Sequence, residues 1–151
     1  MTPEQLFERG QVAVTEGRSW DAIEAFLGSI EGQPLAIAPH VALGGVLAKL
    51  KLFEEGYACF ETVLALGGDR SKALSVMSYY AANASNWALQ EKAEAALLWE
   101  IRNGDNHAGP FNLLVVQGAT RQEMLAASEH HWRAISASVA SFSLDPTLDP
   151  K

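Results

Sequence analysis

The sequence has a single cysteine, Cys59. An internal disulfide is therefore excluded, and a reducing, cytoplasmic setting is expected. No stretch of the 151 residues is apolar over the length a helix needs to cross a bilayer. The opening MTPEQLFERG lacks the charged start and apolar run of a secretion signal. Basic residues are outnumbered, with 11 Lys and Arg against 18 Asp and Glu, and the resulting charge of −7 argues against a nucleic-acid partner. Strand signals are almost absent. The triplet Asn83-Ala84-Ser85 fits the glycosylation pattern, but without a secretion signal it reads as a chance match.

What remains is helical. Runs rich in Ala, Leu, Glu and Gln carry apolar residues three or four apart, punctuated by Gly, Pro, Asn and Asp. This spacing predicts helices near 4–16, 19–31, 38–51, 54–67, 71–85 and 88–102, a short one near 110–117, and a long one over 120–141. Paired helices of similar length call for a search for internal repeats. At an offset of 34, Gly10 meets Gly44, Val12 meets Val46, Ala22 meets Gly56, Phe26 meets Phe60 and Ile30 meets Leu64. A third copy matches at an offset of 37 from the second, with Ala81, Ala93, Leu97 and Ile101 in the equivalent places. The turn GGDRSK, residues 67–72, is expected to absorb the three extra residues.

This pattern resembles the tetratricopeptide repeat (TPR), a helix-turn-helix unit of 34 residues. The resemblance implies an all-α, right-handed solenoid of three helix pairs plus a C-terminal capping helix. Small residues at the eighth and twentieth positions let helices approach, and a large apolar residue at the twenty-fourth fills the space between units. The implied units are 3–36, 37–73 and 74–107, followed by a short helix and a long capping helix over 108–142 and an extended or disordered tail over 143–151. The family's tryptophan at position four is replaced by Leu6, His40 and Met77, and its aromatic at position eleven by Ala13, Leu47 and Ala84. The competing reading is an ordinary helical bundle.

One helix pair cannot bury its apolar face alone, so the units must stack and the ends must be capped. Thr120 and Glu123 form a capping box that starts the last helix. Trp132, Ile135, Val139 and Phe142 then make one apolar stripe, expected to cover the third unit, with Phe111, Leu113 and Leu114 filling in between.

Catalytic signatures are missing. GGDRSK lacks the Gly-Lys-Ser/Thr ending of a phosphate loop. His130 and His131 are adjacent on a helix and point about 100° apart, unlike ligands spaced four apart. His40 and His107 stand without an obvious acid or nucleophile, and Cys59 beside Phe60 reads as a buried structural thiol. No enzyme, cofactor or metal site is expected.

The functional surface that the resemblance implies is the concave groove lined by the first helix of each unit. Carried over residue by residue, it offers Glu4, Phe7, Glu8, Gln11, Val14 and Thr15, then Ala38, Val41, Ala42, Gly45, Ala48 and Lys49. The third unit offers Ser75, Ser78, Tyr79, Ala82, Ser85 and Asn86. Of these, Phe7, Glu8, Gln11, Thr15, Lys49, Ser78, Tyr79 and Asn86 are the candidate partner contacts. The grip that some family members place on a peptide's terminal carboxylate falls here on Phe7, Gln11, Ala42, Ser75 and Tyr79, so that grip is absent.

The expected function is a non-catalytic module binding a peptide or helix of another protein, unless the C-terminal helix itself fills the groove. The alternative is a substrate-binding part of a TPR-containing glycosyltransferase, inactive alone, because residues 109–132 resemble the linker of such enzymes. A third reading is self-association through the Trp132 stripe. No membrane partner is expected.

Overall fold

The computed structural model describes residues 1–103, 113 and 116–140. Seven helices are defined there: α1 Pro3–Thr15, α2 Ser19–Gly32, α3 Ile37–Lys49, α4 Phe53–Ala65, α5 Arg70–Asn83, α6 Trp87–Asn103 and α7 Arg121–Ala140. Local chemistry sets their ends. Thr2 and Gln5 form a capping box at the start of α1, with Pro3 at its first position. The Asp69 carboxylate accepts the Lys72 amide at 3.0 Å and starts α5. The expected Thr120–Glu123 box is present, with reciprocal bonds of 2.7 and 3.2 Å.

The helices pack as antiparallel hairpins, α1 on α2, α3 on α4 and α5 on α6. Successive hairpins stack through α2 on α3 and α4 on α5. Within each hairpin the chain reverses through one left-handed residue: Gly17 at φ 74°, Lys51 at φ 66° and Ser85 at φ 56°. These three positions are 34 residues apart, and so are the starts of α2, α4 and α6.

That spacing corrects the third repeat boundary. In the first unit, a Cβ on Gly10 would lie 2.6 Å from Phe26 Cδ1, so the glycine is what lets the ring in. In the second, a Cβ on Gly44 would lie 2.9 Å from Phe60 Cε2. The corresponding pair in the third is Ser78 and Glu94, where the hydroxyl lies 3.4 Å from the carboxylate. The third unit therefore begins at residue 71 rather than 74, and GGDRSK absorbs no insertion. A shift of three residues moves a position by nearly one helical turn, so Ala93 and Leu97 mimic the expected pattern on nearly the same face.

Two apolar clusters form the core. Ala13, Ala22, Phe26, Leu43 and Val46 join the first two units. A larger cluster runs from Tyr57 and Phe60 through α5 and α6 to Leu113, Val116 and Ala127. The C-terminal segment thus closes the open side of the third unit, but not by the expected stripe. Ala127 is buried and Met124 packs beside it, whereas Trp132 is 68% exposed and Ile135 40%. Trp132 lies five residues beyond Ala127, about 140° around the helix, and so faces away from the docked side. The side chains of Val139 and Phe142, with Phe111, Leu114, His107 and the 143–151 tail, lie outside the described residues, as does most of the predicted 110–117 helix.

Candidate interaction groove

The seam between α1 and α3 is open to solvent along two concavities. The first, about 190 Å³, is lined by Glu4, Phe7, Glu8, Ala38 and Pro39, with Ser29, Gln33 and Ala36 at its base. The second, about 350 Å³, is lined by Gln11, Val14, Phe26, Ala42, Gly45, Val46 and Lys49. Phe7 borders one and Phe26 the other, and their rings pack with centroids 5.7 Å apart. Phe7 is partly exposed and Phe26 lies buried beneath the groove, so the pair joins the lining of one concavity to the floor of the other. Small side chains at Ala38, Ala42 and Gly45 keep the α3 wall low.

Four of the expected contact residues therefore line the groove: Phe7, Glu8, Gln11 and Lys49. Thr15 does not line either concavity, and its hydroxyl is spent on the Val12 carbonyl at 2.7 Å. Tyr79 also lies outside both, yet it is 54% exposed on α5 and sits 34 residues beyond Gly45.

Two expectations are overturned. Ser78 is only 3% exposed, because it occupies the close-packing place of Gly10 and Gly44. Asn86 is the cap of α6: its oxygen accepts the Leu89 amide at 3.3 Å, and its amide donates to Glu54 at 2.9 Å. Both errors follow from the three-residue slip in the third unit. The expected list also missed the Phe26 and Val46 contributions. Phe26 was legible as a wedge, but that its buried ring also forms the floor of the groove depends on the packing of α2 beneath α1 and α3.

A polar cluster on α6 was not foreseen. Glu94 is 5% exposed and takes the place held by Phe26 and Phe60 in the other units. Its carboxylate accepts from Gln90 Nε2 at 2.7 Å and from the Gln117 backbone amide at 3.0 Å, as well as from Ser78. The bond to Gln117 ties the C-terminal segment to the third unit. Arg102 adds a second tie, pairing with Glu123 at 2.7 Å and donating to the Gly118 carbonyl at 3.2 Å.

Burial pushes the Cys59 thiol above its ordinary pKa, which disfavours the nucleophilic thiolate. Among the described residues, no group of three or more His, Cys, Asp or Glu could hold a metal ion. His40 Nε2 lies 3.1 Å from the Pro34 carbonyl at the turn into α3. Among the described residues no helix is long and apolar enough to cross a membrane.

No protein-family model matches this sequence, and no curated protein matches it. Solved structures do match in fold. One is described as the first TPR of Spaghetti (RPAP3) bound to the HSP90 peptide SRMEEVD. It superposes with a TM-score of 0.57 at 15% identity, over 92% of this chain and 94% of that one. Another is the Sgt2 TPR domain from Aspergillus fumigatus, with a TM-score of 0.57 at 14% identity, over 99% of this chain and 89% of that one. The fold is thus a TPR-like helical solenoid of three helix pairs with a C-terminal helix. Neither structure supports the transferase-linker resemblance of residues 109–132.

Proposed function

We propose that this chain is a non-catalytic interaction module that holds a peptide or helix of a partner protein in the α1–α3 groove. The observation that carries this reading is the pair of open, mostly apolar concavities lined on one side by Phe7 and floored on the other by Phe26. Concave apolar surface with a few polar groups is the usual form of a peptide site. The matched domains supply analogy, since one of them is described with a bound peptide.

The partner differs in kind from an acidic tail gripped by several cations. At the 34-residue register, the third-unit positions of the carboxylate grip are Lys72 and Val76, and Lys72 already pairs with Asp69 at 3.2 Å. Phe7, Gln11 and Ala42 occupy the remaining places. Apolar contact therefore dominates. The net charge of −7 sets nucleic acid aside, and the free Cys59 thiol supports a cytoplasmic location.

Affinity capture from native lysate, compared with a Phe7→Ser, Lys49→Glu, Tyr79→Ser triple variant, tests the reading. Loss of the captured protein with helicity intact is expected; recovery of the same partners by the variant overturns it.

A second contact surface is supported by α7, where Leu125, Trp132 and Ile135 are exposed on one face at spacings of seven and three. Self-association through this face predicts a mass in solution that rises with concentration and falls back to the monomer value on Trp132→Glu. A monomeric mass at high concentration excludes it.

A further inference from the structure

The two ends of the α1–α3 groove differ in charge. Glu4 and Glu8 border the concavity at the start of α1, whereas Lys49 borders the one at the end of α3. Glu4 is held by a hydrogen bond from Gln33, and its first-turn place suits the helix dipole, as the last-turn place of Lys49 does. Glu8 has no such explanation, since it lies in the middle of α1. Among the described residues neither Glu8 nor Lys49 has an ion-pair partner, so both charges stand free at opposite ends of an apolar trough.

Gly45 gives the second, independent observation. A glycine inside a helix is unfavourable unless something needs its missing side chain. Its neighbour Gly44 has such a reason, because a Cβ there would lie 2.9 Å from Phe60 and 3.2 Å from Cys59 Cβ. A Cβ on Gly45 would meet nothing within 4 Å. The space it leaves belongs to the groove, directly between Ala42 and Lys49 on the lining wall.

Resting on the groove reading above, we infer that the occupant is a partner segment of defined polarity. An apolar side chain fills the concavity over Gly45, an acidic residue follows on the Lys49 side, and a basic residue lies toward Glu8. Opposite charges at the two ends fix the direction in which the segment lies, since the reversed orientation sets like charges against each other.

Selection from a random-sequence peptide library displayed on phage tests this against four forms of the full chain: wild type, Gly45→Leu, Lys49→Glu and Glu8→Lys. Wild type is expected to enrich peptides that carry a basic and an acidic residue on opposite sides of an apolar one. Lys49→Glu should replace the acidic preference with a basic one, and Glu8→Lys should do the reverse at the other end. Gly45→Leu should weaken the selected peptides by roughly tenfold or more while circular dichroism stays helical. Enriched peptides that lose affinity on Gly45→Leu but show no charge order, or an order unmoved by either swap, overturn the polarity and leave the groove standing. Failure of the wild type to enrich any peptide, or full retention by Gly45→Leu, removes the groove reading and the polarity with it.

Discussion

The Tyr80 hydroxyl donates to the Gly44 carbonyl at 3.2 Å, joining α5 to α3. Its ring stands edge-on to Phe60, with centroids 5.7 Å apart and an interplanar angle of 83°. A Cβ on Gly56 would fall 2.9 Å from the same ring. One side chain from the third unit thus fixes the hairpin of the second, and it does so only because Gly56 has no side chain.

Removing that hydroxyl in Tyr80→Phe should cost about 1 kcal/mol, read from urea denaturation. The pH profile gives a second readout. Burial pushes the Tyr80 pKa up, and the nearby Cys59 and Tyr79 add to the shift. Tyr57 is raised chiefly by burial too. The native state then keeps its phenol protons where the unfolded chain loses them. Stability is fully present below the unfolded value of about 10 and falls as pH rises beyond it. Tyr80→Phe should make that alkaline fall shallower.

The adjacent glycines of α3 should respond in opposite directions. Gly44→Ala forces a methyl group onto Phe60 and Cys59, and overpacking of this kind costs about 1–3 kcal/mol. Gly45→Ala meets open space and gains helix propensity, a stabilisation of about 0.5–1 kcal/mol. Thermal melts of the two single variants measure the contrast. A destabilised Gly45→Ala would count against the open groove wall.

Glu94→Ala should loosen the C-terminal segment before it affects the first two units. It leaves the Gln117 amide, the Gln90 amide group and the Ser78 hydroxyl without their acceptor. Unsatisfied groups of this sort cost about 1–3 kcal/mol. Hydrogen exchange should quicken at Gln117 and in α7, with α1 to α3 unchanged. Uniform loss of protection would mean that Glu94 supports the whole solenoid instead.

The α7 contact should also weaken in acid. Hydrogen bonding from Arg102, with help from the Thr120 amide, lowers the Glu123 pKa to about 2. The unfolded carboxyl titrates at about 4.3, so this contribution is intact above that pH and is lost as pH falls toward 2. Protection of the α7 amides, taken as the exchange rate relative to that of the unfolded chain at the same pH, should fall in that window. Glu123→Gln should flatten the response.

Much of the architecture was legible in the residue pattern. Gly10 with Phe26 and Gly44 with Phe60 carry a size match that few arrangements other than a 34-residue repeat produce, and the start of the last helix was marked by Thr120 and Glu123. The third unit was not legible, because Ser78, Gln90 and Glu94 stand where the small and large apolar markers should be. Helical periodicity nearly repeats after three residues, so Ala81, Ala93 and Leu97 offered a false register. That slip took Ser78 and Asn86 into the expected groove, although one is buried and the other is a cap.

The sequence by itself determined the helices, their pairing and the 34-residue period of the first two units, since these depend on local periodicity, capping and residue size. Only the tertiary structure decided what the free surfaces are. It showed that Ala127 rather than Trp132 docks α7, that Glu94 is buried and bonded, and that the spaces over Gly45 and beside Phe7 are open. Exposure depends on which neighbour arrives at a helix face, and that is set by packing across units rather than by the pattern along one chain segment.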